Sequence, residues 1–136
     1  MKYWLVKTEP ETYSWSDLLS KGRDHWDGVR NFAARNNLKL INEGDVVFIY
    51  HSGKQKAIVA MAKCIKPHYP DPTVDDDRWV AVDLVPYKEL NRPVSLMTIR
   101  NEEVLKNMVL VNNSRLSVQP VTKEEYVKVL QLSNTD

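Results

Sequence analysis

The sequence predicts an α+β fold in which a curved sheet or small open barrel is flanked by short helices. Roughly five runs of aromatic and β-branched residues have the length and composition of strands. Short segments with helix-start signals lie between them, and several strand segments follow one another directly along the chain. No repeat, linker or low-complexity tract interrupts the 136 residues, so we expect a single domain spanning residues 1–136.

The first strand is predicted at Tyr3–Thr8, a run of aromatic and β-branched residues. Pro10 should end it, because proline cannot donate to a sheet ladder. Strand alternation places Trp4 and Val6 on one face and Lys7 on the opposite face. Lys7 is therefore expected either to reach solvent or to point into a cleft at the end of the strand.

Two short helices are predicted next. Ser14 and Asp17 approximate a capping box for the first, which Gly22 should end, with Leu18 and Leu19 facing the core and Trp15 as a core anchor. Residues 21–25 are expected to be a polar loop that leads to Trp26. The second helix is predicted over Asn31–Ile41 with Asn31 as its cap, and its apolar positions are Phe32, Leu38 and Ile41.

A β-hairpin occupies the middle of the chain. Its strands are predicted at Asp45–Ser52 and Ala57–Ile65, joined by a turn at residues 52–55. Cys64 should be a buried small apolar residue within the second strand. The proline-rich segment Lys66–Pro72 is predicted to be a stiff loop, followed by a strand at Trp79–Val85.

The C-terminal part is predicted to contain short helices and one more strand. A helical pattern follows Pro93, a strand covers Leu116–Val121, and Thr122 with Glu125 starts a last helix through a capping box. Residues 133–136 should fray.

Composition excludes several classes of site. The net charge is +1, so a wide duplex-coating surface is not expected, although a small nucleotide pocket is compatible. The single cysteine, Cys64, forms no internal disulfide, and the histidines lack zinc-ligand spacing. We expect no metal, no cofactor and no membrane partner, and a cytoplasmic location, or a nuclear one in a eukaryote. The sequence predicts no particular oligomeric state.

The segment from Trp26 to Asn31 has the composition of a ligand-binding loop. It combines an indole with a guanidinium and a carboxamide, which are groups that stack on a flat aromatic ligand and bond to its edge. Taken alone, the segment fits better a loop whose Trp26 anchors the core, followed by an ordinary polar helix. Other polar groups at strand ends and helix starts favour a shared pocket. The candidate ligand-binding residues are Lys7, Glu9, Ser14, Trp26, Arg30, Asn31, Tyr50, His51, Ser52 and Ser117.

Several separate stretches, in order along nearly the whole chain, resemble the EVE domain family. They are Tyr3–Pro10, Tyr13–Trp15, Trp26–Asn31, Ala34–Asn36, Gly44–Asp45, Tyr50–Ser52, Tyr69–Asp71 and Leu116–Val121. This family includes thymocyte nuclear proteins and bacterial single-domain counterparts, and the chain looks like a bacterial stand-alone version. It departs from the family pattern at Thr8, where relatives usually carry Ser, and at Phe32 and Ala33, where they often carry Tyr and Gln.

The resemblance implies a PUA-like fold, a curved mixed sheet with short helices around it, and kinship with YTH domains, which hold a methylated RNA base in an aromatic cage. It implies non-catalytic binding of a modified base in nucleic acid, with methylated or hydroxymethylated cytosine in DNA favoured; the sequence itself does not decide between DNA and RNA. Trp26 would stack on the base. Asn31, Ser117 and the backbone near Tyr50–Ser52 would read its edge, and Lys7, Arg30 and Arg35 would meet phosphate or a ring oxygen.

Two alternatives stay open at the level of sequence. Some ASCH-type relatives of the PUA-like fold are small hydrolases of modified nucleosides, and Lys7, Thr8 and Glu9 are suitable catalytic groups. Adjacent strand residues point to opposite faces, however, so Lys7 and Thr8 would share a pocket only at a bulge. The second alternative is a domain that binds a protein partner through an exposed apolar patch.

Overall fold

A six-stranded sheet organises the molecule, and the computed structural model describes residues 1–136. The strands are β1 (Tyr3–Thr8), β2 (Asp24–Trp26), β3 (Val46–His51), β4 (Ala57–Pro70), β5 (Val80–Ser95) and β6 (Val118–Val121). Their order across the sheet is β2-β5-β4-β3-β1-β6. Strand β1 runs parallel to β3, and the other neighbours are antiparallel. This mixed sheet curls into a half-barrel with a few short helices, which confirms the predicted fold class.

Short helices cover the two faces of the sheet. They are α1 (Trp15–Lys21), α2 (Phe32–Leu38), α3 (Leu96–Asn101), α4 (Val109–Asn112) and α5 (Lys123–Leu132), with a 3₁₀ turn at Glu103–Leu105. The predicted caps are confirmed: Ser14 and Thr122 form capping boxes, and the Asn31 side chain accepts from the Ala34 N–H. No helix is both long enough and apolar enough to cross a lipid bilayer.

The alternation predicted for β1 divides the core in two. Trp4 and Val6 join one cluster with α1 and α2, whereas Leu5 joins the other cluster with α3, α4 and α5. Trp15 is 6% exposed within the first cluster, which confirms it as a core anchor. Cys64 is buried as predicted.

The proline-rich loop prediction was wrong, because β4 continues through that segment to Pro70. The pairing with β5 shifts register between Cys64 and Lys66 and again between Lys66 and Tyr69. Such irregularities accommodate residues without a backbone N–H, so prolines are tolerated there. Strand β5 is likewise longer than predicted and ends at Ser95, immediately before α3.

Residues around Trp26 also differ from the prediction. Asp24–Trp26, placed partly in a polar loop, form β2 and pair with Val82–Leu84 of β5. Three residues are too few to show strand periodicity in a sequence. Helix α2 ends at Leu38 instead of Ile41. Leu19 and Phe32, predicted to face the core, are each 53% exposed.

The C-terminus is fixed to the sheet, so the prediction of fraying at residues 133–136 was wrong. Ser133 and Thr135 are buried, and the Asn91 N–H donates to Thr135 Oγ1 at 2.9 Å. Ser133 Oγ donates to the same oxygen at 2.8 Å. These contacts hold the end of the chain against β5.

Replacing Thr135 by valine should lower the free energy of unfolding by roughly 1–2 kcal/mol, because the Asn91 N–H loses its acceptor while the shape of the side chain is kept. Urea denaturation followed by circular dichroism measures the change. Asp136→Asn is the control, since the exposed Asp136 offers only its carbonyl oxygen, to Lys88 Nζ. Equal stabilities of both variants and the parent chain would contradict a structural role for the terminus.

Candidate functional site

A polar cleft of about 470 Å³ lies where β1 and β2 end. Its volume falls within the roughly 300–1,000 Å³ typical of small-molecule sites. Residues from β1, the following turn, α1, β2 and the loop after β2 line it: Lys7, Thr8, Thr12, Tyr13, Lys21, Asp24, His25, Trp26, Asp27 and Gly28. The cleft therefore contains the beginning of the segment that the sequence singled out.

Two aromatic rings form the apolar part of this cleft. Trp26 is half-buried at the end of β2, and Tyr13 meets it edge to face, with ring centroids 6.0 Å apart. The Tyr13 hydroxyl donates to Asp24 Oδ2 at 2.6 Å. Burial, together with this bond, raises the pKa of Tyr13. The tyrosine is thus fixed as a neutral donor, and its ring supports the indole of Trp26.

Carboxylates dominate the polar part of the cleft. Burial favours a higher pKa for Asp24, but hydrogen bonds from Tyr13, Lys21 and the His25 N–H outweigh it and lower that pKa. Asp27 Oδ2 lies 2.9 Å from His25 Nε2. Burial raises the pKa of Asp27, and the charge of His25 only partly opposes this. Asp27 stays about one-third exposed, so its carboxylate can accept a hydrogen bond from a ligand.

The loop after Trp26 is held in place by Asp71, whose side chain is fully buried. Asp71 Oδ2 accepts from the Gly28 N–H and from Arg30 Nη1, both at 3.0 Å. Asp71 Oδ1 accepts from the N–H and hydroxyl of Thr73. Gly28 has φ +76°, a left-handed conformation that favours glycine. Burial alone would raise the Asp71 pKa, but these bonds hold it far below its usual range.

Lys7 lies on the face of β1 opposite to Trp4 and Val6, and it lines the cleft at the end of the strand. Its Nζ donates to the Ser114 carbonyl oxygen at 2.5 Å and lies 5.7 Å from the centre of the Tyr50 ring. Burial lowers the pKa of Lys7. The backbone N–H of Lys7 donates to the Ser117 carbonyl, which ties the end of β1 to the segment before β6.

Of the ten candidate residues, Lys7 and Trp26 line the cleft, and three more have capping or loop contacts. Ser14 Oγ accepts from the Asp17 N–H, and Asn31 Oδ1 accepts from the Ala34 N–H, so each caps a helix. Arg30 pairs with Asp71 and lies 5.6 Å from the centre of the Trp79 ring.

The remaining candidates form the junction beside the end of β1. Tyr50 is 3% exposed in the second core cluster. His51 Nε2 accepts from the Trp15 N–H at 3.0 Å, so the Nδ1–H is the donor to Gln55 Oε1. The Ser52 N–H donates to Thr8, the Ser117 carbonyl accepts from Lys7, and the exposed Glu9 lies against Gly53.

The residues suggested for catalysis have separate contacts, although Lys7 and Thr8 both line the cleft. Thr8 Oγ1 donates to the Tyr13 carbonyl at 2.6 Å, Lys7 Nζ donates to the Ser114 carbonyl, and Glu9 is exposed. The threonine hydroxyl is therefore bonded to a backbone carbonyl rather than to a base. No group of three or more His, Cys, Asp or Glu side chains is arranged to hold a metal ion.

The pattern of the EVE domain family matches residues 2–132. The chain belongs to the EVE domain family. Mouse thymocyte nuclear protein 1 is 34% identical over 168 residues, covering 98% of this chain and 74% of the mouse protein. A protein of solved structure from Agrobacterium tumefaciens is 38% identical with a TM-score of 0.97, covering 99% of this chain and 94% of that one.

A further EVE family relative has been solved with a ligand. The human THYN1 protein, in complex with DNA containing 5-methylcytosine, is 32% identical with a TM-score of 0.92, covering 100% of this chain and 99% of that chain. This similarity confirms the PUA-like fold. An ASCH protein from Zymomonas mobilis is 13% identical with a TM-score of 0.61 and shares the fold alone.

Several cleft residues of this EVE chain were not among the candidates. Tyr13, Asp24 and Asp27 all lie within or next to stretches that carry the family resemblance. The short strand β2 brings Asp24 and Trp26 to the same cleft, and its pairing with β5 had no signal in the sequence. Asp71 lies 43 residues after Gly28, so only the fold shows that it supports the loop.

Proposed function

We propose that this cleft binds a modified nucleobase in nucleic acid without altering it. Methylated or hydroxymethylated cytosine in DNA is the ligand that we favour. The observation that carries the proposal is the half-buried indole of Trp26, which lies in a cleft beside hydrogen-bonding carboxylates. The related human THYN1 protein in complex with 5-methylcytosine-containing DNA supports the same ligand class.

The cleft combines the two kinds of contact that a single base requires. Trp26 offers an aromatic surface, and stacking contributes about 1–3 kcal/mol per base. Polar groups around it can bond to the edge of the ring. A base in duplex DNA must first leave the stack, at a cost of a few kcal/mol. Stacking and edge bonds together are large enough to offset that cost.

Asp27 favours cytosine over thymine. Cytosine presents an exocyclic amine, which donates to a carboxylate, whereas thymine presents a carbonyl oxygen at the same place. The Asp27 carboxylate is partly exposed in the cleft, and its neighbour His25 holds one of its oxygens. We therefore assign Asp27 to the exocyclic amine and Lys7 to the rim of the cleft.

The rigidity of the loop supports recognition by a preformed site. The Asp71 contacts hold Gly28 and Arg30, and Asn31 fixes the start of α2. A loop that is ordered before binding loses less entropy when the ligand arrives. In this proposal Arg30, Asn31, Ser14 and His51 shape the cleft, while Glu9, Tyr50, Ser52 and Ser117 build its surroundings.

The hydrolase alternative has weaker support. The Thr8 hydroxyl donates to the Tyr13 carbonyl and Lys7 Nζ donates to the Ser114 carbonyl, so each has a backbone partner although both residues line the cleft. Incubating the protein with acylated and alkylated nucleosides separates the two functions, because a binder releases no product. Product formation that disappears with Thr8→Val would establish the hydrolase instead.

The proposed function is tested by titrating the protein with 5-methyldeoxycytidine and thymidine, which share the ring methyl group. We expect the cytosine nucleoside to bind roughly tenfold more tightly, because a good edge contact discriminates by about 1–3 kcal/mol. Isothermal titration calorimetry or fluorescence of the tryptophans measures both affinities.

Asp27→Asn should reduce that preference to less than about threefold, since an amide can either accept or donate. Asp17→Asn, in the capping box of α1 outside the cleft, is the matched control and should keep the preference. A preference that survives in Asp27→Asn would exclude Asp27 as the residue that reads the amine.

A further inference from the structure

Basic side chains gather beside the cleft, at the end of the sheet where β1 and β3 finish. Because β1 and β3 are parallel, their C-terminal ends meet at one edge, with Lys7 opposite Tyr50. The turn between β3 and β4 carries Lys54 and Lys56 at this edge. The Ser52 N–H donates to the Thr8 carbonyl, which fixes the turn against the end of β1.

Two arginines belong to segments that contact the same edge. Arg115 follows Ser114, whose carbonyl oxygen accepts from Lys7 Nζ. Arg100 lies in α3, and the first N–H of that helix, from Leu96, donates to the Lys56 carbonyl at 2.8 Å. We call these five residues the basic edge; they are Lys7, Lys54, Lys56, Arg100 and Arg115.

None of the five makes an ion pair within the chain. By contrast, three other arginines each form an ion pair with an aspartate: Arg23 with Asp83, Arg30 with Asp71 and Arg78 with Asp76. Lys54, Lys56, Arg100 and Arg115 are exposed. One carboxylate, that of Glu9, lies against Gly53 in the turn. The basic edge thus brings together five cations, although the whole chain carries a net charge of only +1.

The position of the basic edge suggests its partner. Lys7 belongs both to the basic edge and to the lining of the cleft, so the two surfaces are continuous. A base held in the cleft stays joined to the neighbouring nucleotides through phosphates. The strand on either side of that base must therefore run across the surface next to the cleft. Lysine and arginine side chains that form no ion pair within the protein are the groups that bind phosphate oxygens.

We propose that the basic edge binds the phosphate backbone of the DNA strand whose base occupies the cleft. This inference rests on the proposed function and extends it from a free base to a polymer. Contacts to phosphate carry no sequence information but supply much of the affinity. The cleft would select the base, and the basic edge would select a base that belongs to a nucleic acid strand.

The test compares a triple variant, Lys54→Gln with Arg100→Gln and Arg115→Gln, with the unmodified protein. Affinity is measured for a duplex oligonucleotide containing 5-methylcytosine across a series of salt concentrations. Each lost phosphate contact should reduce the slope of log K against log salt by about 0.9. We expect a reduction of roughly 2–3 for the triple variant, and unchanged affinity for 5-methyldeoxycytidine, which has no phosphate.

A second triple variant controls for total charge. Lys39→Gln, Lys88→Gln and Lys123→Gln remove the same number of exposed cations from other parts of the surface. They should leave the salt slope within about 0.5 of the parent value. Equal salt slopes for both triple variants would overturn the proposal that the basic edge binds the phosphate backbone.

The outcomes separate this inference from the proposed function. Trp26-dependent binding of the nucleoside, without tighter or salt-dependent binding of the oligonucleotide, would refute the basic edge alone. Absence of binding to both nucleoside and oligonucleotide would refute both proposals. Salt-dependent oligonucleotide binding that is lost in the first triple variant and kept in the second supports the basic edge.

Discussion

Trp26→Ala should abolish measurable binding of a modified cytosine nucleoside while the fold survives. The indole is the largest aromatic surface in the cleft, and losing a stacking partner costs about 1–3 kcal/mol, a factor of up to roughly 150 in affinity. Titration with 5-methyldeoxycytidine measures the loss. Circular dichroism and thermal unfolding of the variant establish that the sheet is intact, which matters because Trp26 also packs against the first core cluster.

Trp26→Phe is the matched variant, because a phenyl ring keeps an aromatic face in a smaller volume. It should retain most of the affinity that Trp26→Ala loses. Binding by Trp26→Ala at the parent affinity would remove Trp26 from the site and, with it, the principal argument for base stacking.

Asp71→Ala should lower the free energy of unfolding by about 3 kcal/mol, since several donors lose a buried acceptor at once. The Gly28 N–H, the Thr73 N–H and hydroxyl, and Arg30 all donate to this carboxylate. Binding should weaken as well, because the loop after Trp26 is no longer held. Chemical denaturation gives the stability, and Asp76→Ala, which breaks the exposed pair with Arg78, should have a much smaller effect.

The Asp71 contribution should also depend on pH. The pKa of Asp71 is lowered in the folded protein, so its stabilising effect is present above the unfolded value of about 3.9 and disappears as the pH falls below it. The stability difference between the parent chain and Asp71→Ala should therefore shrink from pH 5 downward. If the difference in unfolding free energy between the parent chain and Asp71→Ala stayed constant from pH 5 downward, the Asp71 carboxylate would not be held by these charged and neutral donors.

Local signals were sufficient for much of the fold. The caps at Ser14, Asn31 and Thr122, the strand at Tyr3–Thr8 and the alternation along it all depend on neighbours a few residues away. Where tertiary pairing decided the outcome, the sequence was a poor guide. Strand β4 passes through prolines because register shifts against β5 accommodate them, and Thr135 is ordered only by contact with Asn91.

The candidate site shows the same contrast between features with a local sequence signal and features that depend on tertiary contacts. Trp26 was predicted as a ligand-binding residue from its neighbours in the sequence, and the structure places it in the lining of the cleft. Asp27 lies next to it, yet the role proposed for Asp27 depends on its one-third-exposed position just after β2. His51 was predicted to lie at a pocket, and the structure places both of its ring nitrogens in contacts between elements. Only the spatial arrangement distinguishes these cases.

The pairing of β1 has a consequence for how the chain is made. Its neighbours are β3 and β6, so β1 gains its second partner only from residues 118–121, far along the chain. Until that segment emerges from the ribosome, one edge of β1 lacks its partner and Lys7 lacks the Ser117 carbonyl. Pairings over such sequence separations are slow to form. Folding of the sheet should thus be completed only after β6 is available, and nascent chains ending before β6 should remain sensitive to protease.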